Sequence, residues 1–101
     1  MSEWKVWYQS HGKFGRRYFS GSLSVREREA VFTGKKETFT ISRAKLVEPK
    51  TIGMNSWIHV AYEDGDEPKD AYFLDRKMLG WSGMLGGNET MGQELAAALL
   101  K

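Results

Sequence analysis

His11 and His59 are the only histidines of this 101-residue chain, and it has no cysteine. These side chains are the usual bases, nucleophiles and soft metal ligands, so the catalytic options are narrow. A nucleophilic triad needs a hydroxyl or thiol held by a base, with a third group orienting that base. His11 falls in a glycine-punctuated polar stretch, and His59 lies mid-way along an alternating run opposite Ile58 and Val60. Both read as surface or satisfied histidines. There is no H-E-x-x-H motif and no histidine pair at ligand spacing. Asp64-Gly65-Asp66-Glu67 lacks the spacing of a calcium loop and reads as a solvated hairpin tip. Gly80-Trp81-Ser82-Gly83-Met84-Leu85-Gly86-Gly87 precedes a helix start, where backbone amides can cradle an anion. It lacks the nucleotide-loop spacing and reads as a crossover that turns on its glycines. Nothing promotes a paired-carboxylate site. The expectation is a non-enzyme without metal or cofactor, with a small enzyme lacking a recognisable catalytic set as the remote alternative.

Two groups of residues remain as binding candidates. Lys13, Arg16 and Arg17 are interleaved with Phe14, Tyr18 and Phe19 in one connection. They would attract an anionic partner or lipid surface, at about 1 kcal/mol per basic residue near a membrane. The alternative is a solvated loop whose charge is complemented within the fold. Trp81, Met84 and Leu85 form the second group. They either fold back over the core or form an exposed apolar patch for a partner or a second copy.

Charge is unevenly distributed within the net of +2: residues 1–50 carry +6 and residues 51–101 carry −4. The acidic half disfavours a nucleic-acid partner, and no recognition helix or RNP-like motif appears. Thirteen aromatic residues and 41% apolar content predict collapse rather than disorder. At this length one domain is expected over residues 1–101, burying about two-thirds of its surface without metal or disulfide staples. The longest apolar run, Ala96–Leu100, is far short of a membrane span. Met1–Tyr8 holds Glu3 and Lys5 and has no signal-peptide core. With cysteine absent, the expected location is the cytoplasm, with peripheral membrane attachment as the alternative.

Period-two patterns run along the chain to about residue 75. They cover Trp4–Tyr8, Ser22–Arg26, Ala30–Thr33, Glu37–Ile41, Ala44–Ile52, Trp57–Glu63 and Ala71–Leu74. Gly34-Lys35 predicts a tight turn, and Pro49 predicts a bend or a sheet edge. Residues 76–87 read as a loop. Met91, Leu95, Ala98 and Leu99 then make one helical stripe in a helix over about 89–100. Thr90 and Gln93 have capping-box spacing, with Asn88 as a competing cap. The fold class is mainly β: a seven-stranded antiparallel barrel or sandwich closed by one C-terminal α-helix. Its expected core is Trp4, Val6, Leu23, Val25, Phe32, Phe39, Ile41, Ile58, Val60, Phe73, Met91, Leu95 and Leu99.

Seven strands followed by one amphipathic helix resemble the pleckstrin-homology (PH) superfold, and within it the GRAM and bacterial PH-like domains. The local likeness is carried by Gly21-Ser22-Leu23-Ser24-Val25 with Ala30-Val31-Phe32-Thr33-Gly34. Trp57–Gly65, Ala71–Asp75 and Leu79-Gly80-Trp81 add to it. The resemblance implies a binding module for lipids, peptides, proteins or copies of itself. Phosphoinositide-binding members hold the headgroup in the connection that here contains Lys13, Arg16 and Arg17, with Lys5 or Lys13 as the first basic residue. The adjacency of Arg16 and Arg17 departs from their basic-x-basic pattern, because alternation sends neighbours to opposite faces. A protein partner or homo-oligomer is the first expectation, and an anionic membrane surface the second.

Overall fold

The computed structural model describes residues 2–12, 17–53, 55–76 and 87–100. The elements in chain order are β1 (Ser2–Gln9), β2 (Phe19–Val25), β3 (Ala30–Gly34), β4 (Thr38–Ile41), β5 (Ala44–Ile52), β6 (Asn55–Asp64), β7 (Glu67–Asp75) and α1 (Gly87–Leu99). All seven strands join one antiparallel sheet in the order β4-β3-β2-β1-β7-β6-β5. The chain is therefore mainly β with a single C-terminal helix, as the sequence patterns indicate.

Most pairs in this order are hairpins between consecutive strands. Only β1 with β7 brings distant parts of the chain together, through Val6–Gln9 against Tyr72–Asp75. The tight turns are legible in their hydrogen bonds. Arg26 N donates to Glu29 O at 2.8 Å, and Gly34 N donates to Glu37 O at 2.9 Å. The second turn thus centres on Lys35-Lys36, one residue beyond the Gly34-Lys35 pair expected from sequence. Pro68 is accommodated because β1 pairs β7 only from Tyr72 onwards, so no neighbour on that side needs its missing N–H.

Alternation along the strands sends one set of side chains to the inner face. Val6, Leu23, Phe32, Ile41, Ile58, Val60 and Phe73 are buried there together with Met91, Leu95 and Leu99 of α1. Trp4 and Phe39 are half-buried against the same core. Burying each large apolar side chain stabilises the fold by about 1.5–3 kcal/mol. Gly21 lies opposite Gly34 across β2 and β3. A Cβ on Gly21 would stand 2.6 Å from the Phe32 ring, so the ring lies where a side chain would otherwise be.

Helix α1 packs chiefly on β5, with β6 and β7 next, and also reaches β2 and β3. Its stripe Met91, Leu95, Ala98 and Leu99 is buried, as its spacing requires. The helix begins at Gly87, upstream of the expected start. Thr90 is therefore an exposed residue within the helix and not its N-cap, and Asn88 is likewise inside it. The capping-box expectation is corrected accordingly. Trp4 Nε1 donates to Glu94 Oε1 at 3.2 Å, tying the helix to β1.

Leu95 is fully buried and Leu100 is 43% exposed. Leu95→Ala is expected to cost about 2–5 kcal/mol, and Leu100→Ala less than about 0.5 kcal/mol. Denaturant unfolding of the two variants measures the difference. Equal midpoints would show that the stripe does not anchor the helix.

Candidate functional site

The interior of the sheet is filled with aromatic rings. Tyr8 lies 4.8 Å from Phe32, 5.2 Å from Phe39 and 5.6 Å from Phe73, centroid to centroid. Phe39 of β4 stacks on Tyr62 of β6 at 6.2 Å and 7°, so the two ends of the sheet meet across the core. Burial pushes the Tyr8 phenol up to about 12; Glu37 and Tyr62 add to the rise, and a hydrogen bond with Ser10 opposes it. Tyr62 is raised by burial first, then by Asp64, Glu37 and Asp70. These hydroxyls stay neutral near neutral pH.

At the turn end of β3 a slot of about 140 Å³ opens between Phe19, Phe32 and the Lys35-Lys36-Glu37 turn. Lys36 Nζ sits 5.9 Å from the centroid of the Phe19 ring. Arg17, two residues before Phe19, is exposed. One member of the expected basic group is thereby close in sequence to a ring that Lys36 covers. Lys13 and Arg16 lie outside the described residues, as do Trp81, Met84 and Leu85, the whole of the second expected group.

The other face of the sheet carries a second apolar cluster that the sequence reading missed. Ile52, Trp57, Tyr72 and Leu74 are buried there, with Trp7 packed against them. The Tyr18 ring stands edge-on to both indoles, 5.2 Å from Trp7 and 5.8 Å from Trp57. The Arg76 guanidinium lies 5.2 Å from the Trp7 ring centroid. Trp7 Nε1 is buried and has no hydrogen-bond partner among the described residues. His59 belongs to this face. It stacks on Tyr72 at 4.4 Å and 7°, and its Nε2 is 2.8 Å from Asp70 Oδ1. A histidine flanked in this way by a ring and an acid is held in place by the sheet, as expected for a satisfied residue. Gly12 has a positive φ of 67°, and a Cβ there would lie 2.4 Å from the Tyr72 ring. The chain leaving β1 therefore presses directly on the cluster.

The sheet has two terminal strands, β4 and β5, and they differ in what they offer. On β5, Pro49 is paired opposite Ile58 of β6. Proline has no N–H, so its ring can only take the side of the strand that faces away from β6. Lys45, Glu48 and Lys50 are partly or fully exposed along the same strand, and Lys45 forms an ion pair with Glu63. Proline and charge together blunt that edge. Among the described residues strand β4 has no such protection. The Gly34–Glu37 bond makes that pair a hydrogen-bonded one. Antiparallel alternation then turns the N–H and C=O groups of Phe39 and Ile41 towards β3 and those of Thr38 and Thr40 away from it. Thr38 and Thr40 are exposed, and among the described residues nothing hydrogen-bonds their outward groups.

Comparison of the chain with protein-family models, curated proteins and solved structures found no match in any of the three.

The raised Tyr8 phenol has a pH signature. The stability it confers is complete below the ordinary phenol value of 10 and is lost as pH rises from there towards about 12. Tyr8→Phe keeps the ring and removes the ionisation, so unfolding free energy measured across that window should fall less steeply in the variant. An unchanged slope would place the alkaline sensitivity elsewhere.

Proposed function

We propose that the chain is a PH-like, non-catalytic binding module that works by contact with protein, self-assembly first, at the free edge of β4. The order of seven strands and one closing helix supports the family reading. The observation that carries the functional reading is the outward backbone of Thr38 and Thr40, unpaired among the described residues, on a sheet whose other terminal strand is interrupted by Pro49. A row of free N–H and C=O groups is a template for another strand. The non-catalytic part is supported by rings filling the inside of the curled sheet.

A second reading has its own observation. Lys35 and Lys36 lie beside Phe19 at the turn end of β3, and the exposed Arg17 is two residues before Phe19 in sequence, which supports peripheral attachment to anionic lipid. Such attachment rests on screened charge and weakens with salt.

Sedimentation of the pure protein over a concentration series, with and without anionic liposomes, separates the two. Reversible association indifferent to liposomes is expected. Thr40→Pro deletes an outward N–H and leaves the β3 ladder bonds in place, so it should raise the dissociation constant at least about tenfold. A monomer that co-sediments with liposomes only at low salt would transfer the function to the basic turn.

A further inference from the structure

The β4 edge fits one partner in particular. We infer that it pairs with the β4 edge of a second copy of this chain, antiparallel, about a two-fold axis at Thr40; this rests on the edge reading above.

Backbone direction and side chains permit that register, and charge selects it. The first feature is the direction of the backbone groups. Only residues of even number, Thr38 and Thr40, turn their N–H and C=O outward. An antiparallel hydrogen-bonded pair needs outward groups on both members, so the axis must bring even positions opposite even positions. Axes at Phe39 and at Thr40 both do this: the first sets Thr38 opposite Thr40, and the second sets Thr40 opposite its own copy with both bonds exchanged. Isologous contact of this kind closes as a dimer and leaves no β4 edge to propagate, only the β5 edges interrupted by Pro49.

The second feature is charge. Continued one residue before β4 and two residues beyond it, the same register would bring Glu37 of each copy towards Arg43 of the other, an opposite-sign pair at each end of the contact. Glu37 and Arg43 are exposed, and neither belongs to an ion pair among the described residues. Shifting the axis to Phe39 loses this match and sets Lys35 opposite Arg43. Shifting it to Thr38 sets Lys35 opposite Ile41. Of the three axes, Thr40 alone is complementary in charge.

The third feature is the side chains beside the seam. Thr38 and Thr40 point to the outer face, where β-branched residues pair well across antiparallel strands. Phe39 stays on the inner face, stacked on Tyr62. Dimerisation would therefore extend the sheet without disturbing the core. A strand of four residues offers little area, so the dimer belongs to the weak, reversible class.

Charge reversal tests the register. In Glu37→Arg every cross-copy pair becomes like-charged, and the same holds for Arg43→Glu. Each variant alone should self-associate about tenfold or more weakly than the parent by sedimentation. Mixed together the two variants restore opposite charges at both ends, so the mixture should regain parental association. The double variant should regain it too. Self-association of each single variant at the parental strength would overturn the register. If Thr40→Pro still abolished association in that case, the edge reading would stand without it. A parent chain that stays monomeric at every concentration would overturn both.

Discussion

The structure depends on one contact across the sheet, the meeting of Phe39 with Tyr62. A sheet of seven strands buries its inner face only if it curls, and curling brings the first half of the chain against the second. The rings of Tyr8, Phe32, Phe39, Phe73 and Tyr62 are packed within about 6 Å of one another in sequence-distant pairs. Aromatic pairs of this geometry contribute about 0.5–1.5 kcal/mol each beyond the area they bury. The β1–β7 pairing is the backbone counterpart of that closure, since it alone links the two hairpin series. Helix α1 then covers what the curled sheet leaves open, bringing its stripe to β5, β6 and β7 on one side and β2 and β3 on the other.

The outer face is divided. On β2, β3 and β4 its positions are mostly small and hydroxylated: Ser20, Ser22, Ser24, Thr33, Thr38 and Thr40. On β1, β7 and β6 they hold Trp7, Leu74, Tyr72 and Trp57, which bury one another. The half of the sheet around β7 is thus packed on both faces, and the half ending at β4 on one. Packing on two faces leaves little room for a strand to shift, whereas a strand with a wet face and a free edge opens more readily. The open edge sits on the half with less to hold it.

Much of this was legible in the residue patterns, and the limits have physical causes. The alternation of Trp4, Val6 and Tyr8, and of Ile58, Val60 and Tyr62, gave the inner face, because a strand's side chains must alternate. The spacing of Met91, Leu95, Ala98 and Leu99 gave the helix face for the equivalent reason. Alternation says which residues share a face but not whether that face meets water. Trp7, Trp57, Tyr72 and Leu74 were therefore legible as outward-facing residues and not as a second core; their size was the available signal. The start of α1 escaped because Thr90 and Gln93 satisfy a local spacing rule that does not exclude another helical turn ahead of it. Which edge lies free depends on strand order, and strand order is set by the non-local β1–β7 pairing. Pro49 marked β5 as an edge, whereas nothing in Thr38–Ile41 marks β4 as the other.

That last asymmetry bears on how such a domain stays selective. An antiparallel sheet that does not close fully keeps two rows of unsatisfied backbone, and both are liabilities unless they are blocked or used. On β5 the proline nitrogen interrupts the row, and charged residues raise the cost of bringing a second strand alongside. Leaving both edges open would let copies add at either end and grow without limit. Blocking one and leaving the other short permits a single contact that terminates with its own symmetry. A strand of four residues would be too short to hold an arbitrary partner firmly. Under the pairing proposed above, the flanking charges Glu37 and Arg43, rather than the backbone row, would discriminate between partners, because every strand offers the same N–H and C=O groups and only side chains differ.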